Sequence, residues 1–221
     1  MTQSKEDIRR WCAECEMCSR VKPGVRHRAK LTQVPVGAPL DRVAIDILGE
    51  LPLTDQGNRY VLVLSDYFTK WTEAYPIPDQ TAQTVADTIV TKFVSRFGVP
   101  RQLHSDQGRN FESALFAEMC KLLGVTKTRT TPYRPQSDGQ VERFNRTLLQ
   151  MLRTLVREAQ DDWDDLLPYV TMAYRSTVHE STGCSPNLLM LEREINLPLD
   201  VVVGCLPSQA VHHELMTEYV E

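Results

Sequence analysis

No stretch of the 221 residues approaches the ~20 consecutive apolar side chains that a bilayer span requires. The N-terminal MTQSKEDIRRW lacks the apolar block of a secretory leader. A membrane partner is therefore not expected, and the default compartment is reducing, cytosol or nucleus. Cysteine is sparse. Six in a chain of this length suit free or metal-bound thiols better than a disulfide frame. Internal repeats are absent, and so is any overall excess of positive charge, the formal net charge being −4. What is present is 42% hydrophobic residues, enough for one sizeable core and a small appendage.

The charge is unevenly spread. Residues 1–40 carry +4, residues 41–119 carry −4, residues 120–157 carry +6 and residues 158–221 carry −10. A phosphate backbone, were one bound, would lie against the third of these segments, with the acidic tail turned away.

Along the chain, Cys12, Cys15 and Cys18 stand as C-x2-C-x2-C before the basic run Arg20, Lys22, Arg26, Arg28 and Lys30. Two cysteines at that spacing chelate zinc from a tight turn, but a structural site takes four ligands. His27 is one further donor, and three ordinary thiols explain the pattern equally well. Leu31 to Leu40 is punctuated by proline and glycine and marks a boundary. Strands are expected at Arg42–Leu48, Arg59–Tyr67, Trp71–Ile77, Arg101–Ser105 and Lys127–Thr131. Helical periodicity covers Thr81–Phe97, with Ala86, Ile89, Val90, Phe93 and Phe97 inward. It recurs at Glu112–Leu123, with Leu115, Phe116, Met119, Leu122 and Leu123 inward. A long helix over Gln140–Arg157 puts Phe144, Leu148, Met151, Leu152 and Leu155 in the core, and Glu142, Asn145, Arg146 and Leu149 on another face. A last helix runs from the acids Asp161–Asp165, favoured there by the helix dipole, to about His179. Beyond Gly183, Pro186, Pro198 and Pro207 suggest irregular chain. The order β-β-β-α-β-α-β-α-α predicts an α/β fold, a five-stranded mixed sheet flanked by helices.

Three acids stand out in this frame. Asp46 lies inside an apolar strand, where a carboxylate is costly unless paired or metal-bound; the plain alternative is an ion pair with Arg42. Asp106 follows the fourth strand in LHSDQGRNF, which is also a good turn sequence. Glu142 sits in the first turn of the long helix, with 35 residues between it and Asp106. Oxygen ligands delivered from two strand regions and a helix suit a pair of divalent ions that activate a nucleophile for phosphoryl transfer. Asp66 and Asp138 compete with them, but each has a turn to explain it. His104, on the strand before Asp106, reads as a half-buried histidine, and His212 and His213 receive no role.

With these acids placed, residues from about Val34 to Leu191 resemble the integrase catalytic core of gypsy-type long-terminal-repeat retrotransposons and, more broadly, retroviruses. The resemblance rests on DRVAIDILGELP, YVLVLSDYFTKWTEAYP, FGVPRQLHSDQGRNF, TPYRPQSDGQVERFNRTL and SPNLLML. It implies a ribonuclease-H-like fold, with the catalytic and Mg2+- or Mn2+-binding triad at Asp46, Asp106 and Glu142, and two ions. It further implies a Zn2+ module of which Cys15 and Cys18 would be ligands, its histidine half lying upstream of Met1. The chain is thus expected to be truncated at both ends. It would be organised as a partial zinc module and linker (1–33), a core (34–195) and an irregular acidic tail (196–221).

The implied reaction is two in-line displacements at phosphorus, the trimming of a DNA 3′ end and its joining to target DNA, performed by a homo-oligomer in the nucleus after import. Gln140, Asn145 and Arg146 are candidate DNA contacts, and Lys127, Arg129, Arg134 and Arg143 candidate backbone contacts. Three other readings stay open: a domesticated binding protein without catalysis, a nuclease that cuts without joining, and a zinc-dependent interaction protein.

Overall fold

In the computed structural model the chain forms two compact units, Met1–Pro35 and Val36–Glu221. The structure describes residues 7, 10, 11, 37–130 and 139–204. In the first unit residues 7, 10 and 11 are helical and Arg10 pairs with Asp7 at 3.2 Å. Cys12, Cys15, Cys18 and Arg134 lie outside the described residues, as does the loop 131–138.

The second unit is built on β1 (Arg42–Leu48), β2 (Tyr60–Asp66), β3 (Thr72–Ile77), β4 (Gln102–Ser105) and β5 (Thr126–Arg129). Their spatial order is β3-β2-β1-β4-β5. The first three pair antiparallel, while β4 runs parallel to β1 and β5 parallel to β4. The sheet is therefore mixed, as expected. Its central strand reads VAI at the buried end because helices cover both faces. Val43, Ile45, Leu62 and Leu64 pack on one side with Val85, Ile89, Phe93 and Phe116. Ala44, Val61 and Val63 pack on the other with Phe144, Leu148, Leu152, Trp163 and Leu167. Each fully buried large side chain contributes ~1.5–3 kcal/mol relative to exposure.

The first helical run is not one helix. α1 (Ala82–Thr88) is capped by Thr81, whose hydroxyl accepts from the Thr84 N–H at 3.3 Å. It passes through a π-helical segment, Ile89–Val94, into the single turn α2 (Ser95–Phe97). The wider π-turn shifts the phase of the apolar stripe, so Ile89 and Phe93 are buried while Val90, expected inside, is exposed. α3 (Ala114–Leu123) starts at the Ser113 cap and ends at Gly124, whose φ of 68° is the left-handed conformation glycine tolerates. Leu115 and Leu122, also expected inside, are exposed, because α3 turns Phe116, Met119, Cys120 and Leu123 toward the core instead. Leu155 is exposed as well, at the last turn of the long helix α4 (Gly139–Leu155).

α5 (Trp163–Arg175) begins at the acid cluster, and the acids do more than face a dipole. Asp164 is buried and accepts from Thr54 Oγ1 and Asn58 Nδ2, both at 2.7 Å, while Asp165 accepts from Gln56 Nε2 at 2.7 Å. These bonds tie the β1–β2 connection to α5. Between Gly183 and Gly204, where the described residues end, the chain is not wholly irregular. α6 (Pro186–Leu191) and α7 (Pro198–Val203) each open on a proline. Proline at the first helical position has no N–H to lose and its φ is already helical, so it starts these helices instead of breaking them. Asp200 accepts from the Leu197 N–H at 2.8 Å, and Ser185 from that of Leu188 at 3.0 Å.

Removing the Asp164 carboxylate strands two buried donors. Asp164→Ala should lower unfolding free energy by about 2–3 kcal/mol in urea titration, and Asp165→Ala, more exposed, by under about 1 kcal/mol. A second expectation concerns Glu112, which holds β5 through Lys127 at 2.6 Å and Arg129 at 3.4 Å. The hydrogen bond from Lys127 keeps its carboxyl below the ordinary 4.5. This pair therefore stabilises the fold at neutral pH, and the contribution is lost as pH falls below that value through the folded pKa. The stability gap between the unmodified chain and Glu112→Gln should be about 0.5 kcal/mol at pH 7 and should shrink as the pH is taken below 4.5.

Candidate active site

The parallel pairing of β1 with β4 sets the site. Arg42, Val43 and Ala44 stand opposite Gln102, Leu103 and His104. The same register carried two residues further puts Asp46 across from Asp106, at the carboxyl ends of neighbouring strands, which lie ~4.8 Å apart. Both acids line one cavity of about 350 Å3, together with Ile47, Gln80, Gly108, Arg109, Asn110 and Phe111.

Asp46 is half-buried on the sheet face that packs against α4. Its Oδ1 accepts from the Ile47 N–H at 2.9 Å and its Oδ2 from Asn145 Nδ2 at 2.8 Å. Arg42, the ion-pair partner considered from sequence, instead stacks its guanidinium 4.8 Å over the Tyr67 ring. Asp106 is exposed at the cavity and accepts from the Gly108 N–H at 2.9 Å. A Cβ on Gly108 would stand 2.6 Å from Asn110 Oδ1 and 3.0 Å from Asp106 Oδ1, so a side chain there would displace one of these two cavity groups.

Glu142 does not join the two. It is exposed in the first turn of α4 and is not among the cavity-lining residues. It stands one turn before Asn145, hence on the stripe of α4 that meets Asp46. Among the described residues no three or more His, Cys, Asp or Glu side chains are gathered as a metal cluster. The donors that do meet, two carboxylates beside Asn110 and Gln80, are all hard oxygen or amide groups, which suit a divalent ion such as Mg2+.

The candidate DNA contacts divide. Gln140 is buried, its Nε2 donating to Ser65 Oγ at 2.8 Å and to the Asp66 carbonyl at 2.7 Å, and its Oε1 accepting from Lys70 at 3.1 Å. Asn145 is buried against Asp46. Both amides face the sheet, because α4 turns this stripe inward to pack Val141 and Phe144. Lys127 is half-buried and committed to Glu112 and to the Phe111 carbonyl, and Arg129 also reaches Glu112. Arg143 and Arg146 are exposed on α4. His104 is more enclosed than the sequence suggests, paired with Thr128 Oγ1 at 2.8 Å.

Sequence reasoning missed Gln80, Arg109 and Asn110 as cavity-lining residues. For the last two the signal was available, since both follow Asp106 in the same turn. Gln80 comes from the loop after β3, and nothing local marks it.

Residues 37–135 match the family model described as integrase core domain. The Gag-Pol polyprotein of avian reticuloendotheliosis virus is 33% identical over 195 residues, covering 87% of this chain and 16% of that protein. The retrovirus-related Pol polyprotein from transposon 412 of Drosophila melanogaster is 32% identical over 168 residues, covering 76% of this chain and 14% of that protein. The chain thus spans about a sixth of the curated relatives it matches. Among solved structures, the catalytic core domain of BIV integrase superposes with a TM-score of 0.54 at 29% identity, over 69% of this chain and 94% of that one. A simian T-cell lymphotropic virus intasome structure gives a TM-score of 0.65 at 20% identity, over 83% of this chain and 65% of that one, a likeness of fold. The mixed five-stranded sheet is accordingly ribonuclease-H-like. With sequence and architecture in agreement, the chain belongs to the retroviral and retrotransposon integrases and carries their catalytic core.

Proposed function

We propose that this core is a polynucleotidyl transferase that trims a DNA 3′ end and joins it to target DNA, with Asp46, Asp106 and Glu142 as its divalent-metal ligands. The observation that carries the reading is the meeting of Asp46 and Asp106 in one cavity, on adjacent parallel strands, with Asn145 reaching Asp46 from the helix that bears Glu142. Two bound Mg2+ or Mn2+ ions would activate the attacking oxygen and stabilise the leaving one. Asp46 supplies carboxylate oxygens from the central strand and Asp106 from the turn beside it. Arg109, Gln80 and Asn110 line the same cavity, so they present a cation and amide donors to a phosphodiester placed there. Arg143 and Arg146, exposed on α4 beside Glu142, suit the flanking phosphates. A magnesium complex of the HTLV-2 integrase core and an intasome are among the structures of like fold, which supports a metal-dependent, oligomeric, DNA-bound state; a nuclear place of work is part of the proposal. The Cys15 and Cys18 thiols are assigned, on the family resemblance, to a zinc module.

One observation favours a second reading, a nucleic-acid-binding module without catalysis: Glu142 lies outside the cavity that holds the other two acids. Strand-transfer assays on labelled duplex ends with Mg2+ or Mn2+ decide between them. The transferase reading expects joined products, reduced on the order of 10²-fold or more by Asp46→Asn, Asp106→Asn or Glu142→Gln. Metal-independent DNA binding with no joined or nicked product would establish the second reading, and nicks without joining would indicate a nuclease. Gly108→Ala should cost about ten- to a hundredfold in joining by displacing Asp106 or Asn110, with a small change in melting temperature.

A further inference from the structure

The β2–β3 turn makes an unusual investment in the start of α4. Lys70 holds a left-handed backbone, φ 62°, which side-chain-bearing residues rarely adopt and which persists only where surroundings over-determine it. Those surroundings are visible. The Asp66 carboxylate accepts from the Thr69 N–H at 2.8 Å, the Thr69 hydroxyl at 2.7 Å and the Leu40 N–H at 3.1 Å. The Lys70 N–H in turn donates to the Asp66 carbonyl at 3.1 Å, and Ser65 and Thr72 share a hydroxyl pair at 2.9 Å across β2 and β3. Lys70 Nζ is thereby aimed at the Tyr67 carbonyl and at Gln140 Oε1. Lys70 is half-buried, and burial pushes its ammonium below its ordinary pKa, against the pull of Asp66.

Gln140 is the recipient. Its amide is buried and makes three hydrogen bonds, to Ser65, Asp66 and Lys70, from a position two residues before Glu142. An apolar residue packs at such a position in any rotation of the helix that keeps it covered. A planar amide with three directional partners permits one register. Asn145, three residues after Glu142, makes the second directional contact, with Asp46.

We infer that Gln140, clamped by Ser65, the Asp66 carbonyl and Lys70, is a positioning residue that sets the depth and rotation of the first turns of α4 and so the place from which Glu142 approaches Asp46 and Asp106. The inference rests on the reading of Glu142 as the third metal-binding acid, and it adds the β2–β3 turn to the machinery that holds the site.

Hydrogen exchange and Mn2+ titration of the full chain test it, with Gln140→Leu and Lys70→Met as variants. The amides of residues 143–146 bond to the first carbonyls of α4 and report the clamp directly. Gln140→Leu should speed their exchange tenfold or more while residues 150–155 of the same helix exchange as before, and Lys70→Met should do so to a lesser degree. The Mn2+ concentration giving a half-maximal thermal shift should rise about tenfold in Gln140→Leu. Uniform acceleration along α4, or unchanged exchange in both variants, overturns the clamp. If Gln140→Leu does not fold, Lys70→Met decides alone. An unmodified chain that joins no DNA sinks the transferase reading and leaves the exchange result to judge the clamp by itself.

Discussion

The hydrogen bond from Asn145 to Asp46, 2.8 Å long, holds the candidate site together. A carboxylate in the middle strand of a sheet covered on both faces is desolvated, and such a group needs directional partners or a cation. Asp46 has its own strand's N–H on one oxygen and a helix amide on the other. That second bond fastens α4 across β1, and the apolar contacts of Val141, Phe144 and Leu148 follow the rotation it fixes. Hydrophobic packing alone tolerates sliding of a helix along a sheet. A charge-assisted bond does not.

Sheet topology supplies the rest. Because β4 returns parallel to β1, the carboxyl ends of both strands lie at one edge, and residues that leave them meet there. Asp46 and Asp106 have 59 residues between them in sequence, yet they line one cavity beyond the paired stretch of β1 and β4. This much was legible in the sequence: an acid inside an apolar strand is conspicuous, and the S-D-Q-G turn marks where β4 ends. Asp46 declared itself by chemistry that is out of place locally, whereas Asp106, in a good turn sequence, gains weight only beside it. Glu142 carried no such mark, being one glutamate in a helix, and it is also the acid that stands outside the cavity.

The misread parts share a physical cause, namely that tertiary contacts decided between locally equal options. Gln140 and Asn145 are candidate DNA contacts by their nearness to Glu142, yet the stripe that carries them turns toward the sheet and finds buried partners there. Val90 follows the helical period faithfully, but the π-turn at Ile89–Val94 rotates the stripe beneath it. Pro186 and Pro198 were taken as breakers, although proline both ends helices and begins them. The serine before Pro186, capping the Leu188 N–H, was the local signal that settles the first case.

Net charge proves a weak guide to partners for the same reason. The +6 of residues 120–157 includes Lys127 and Arg129, which Glu112 engages. The −10 of residues 158–221 includes Asp164 and Asp165, which bind the β1–β2 connection, and Asp162, which pairs with Arg157 at 3.2 Å. Subtracting charges that are satisfied inside the fold leaves Arg143 and Arg146 exposed on α4, and Arg109 at the cavity. An acidic chain thus keeps exposed cations beside its candidate site. The electrostatic steering of a polyanion depends on that local arrangement and not on the sum over the polymer.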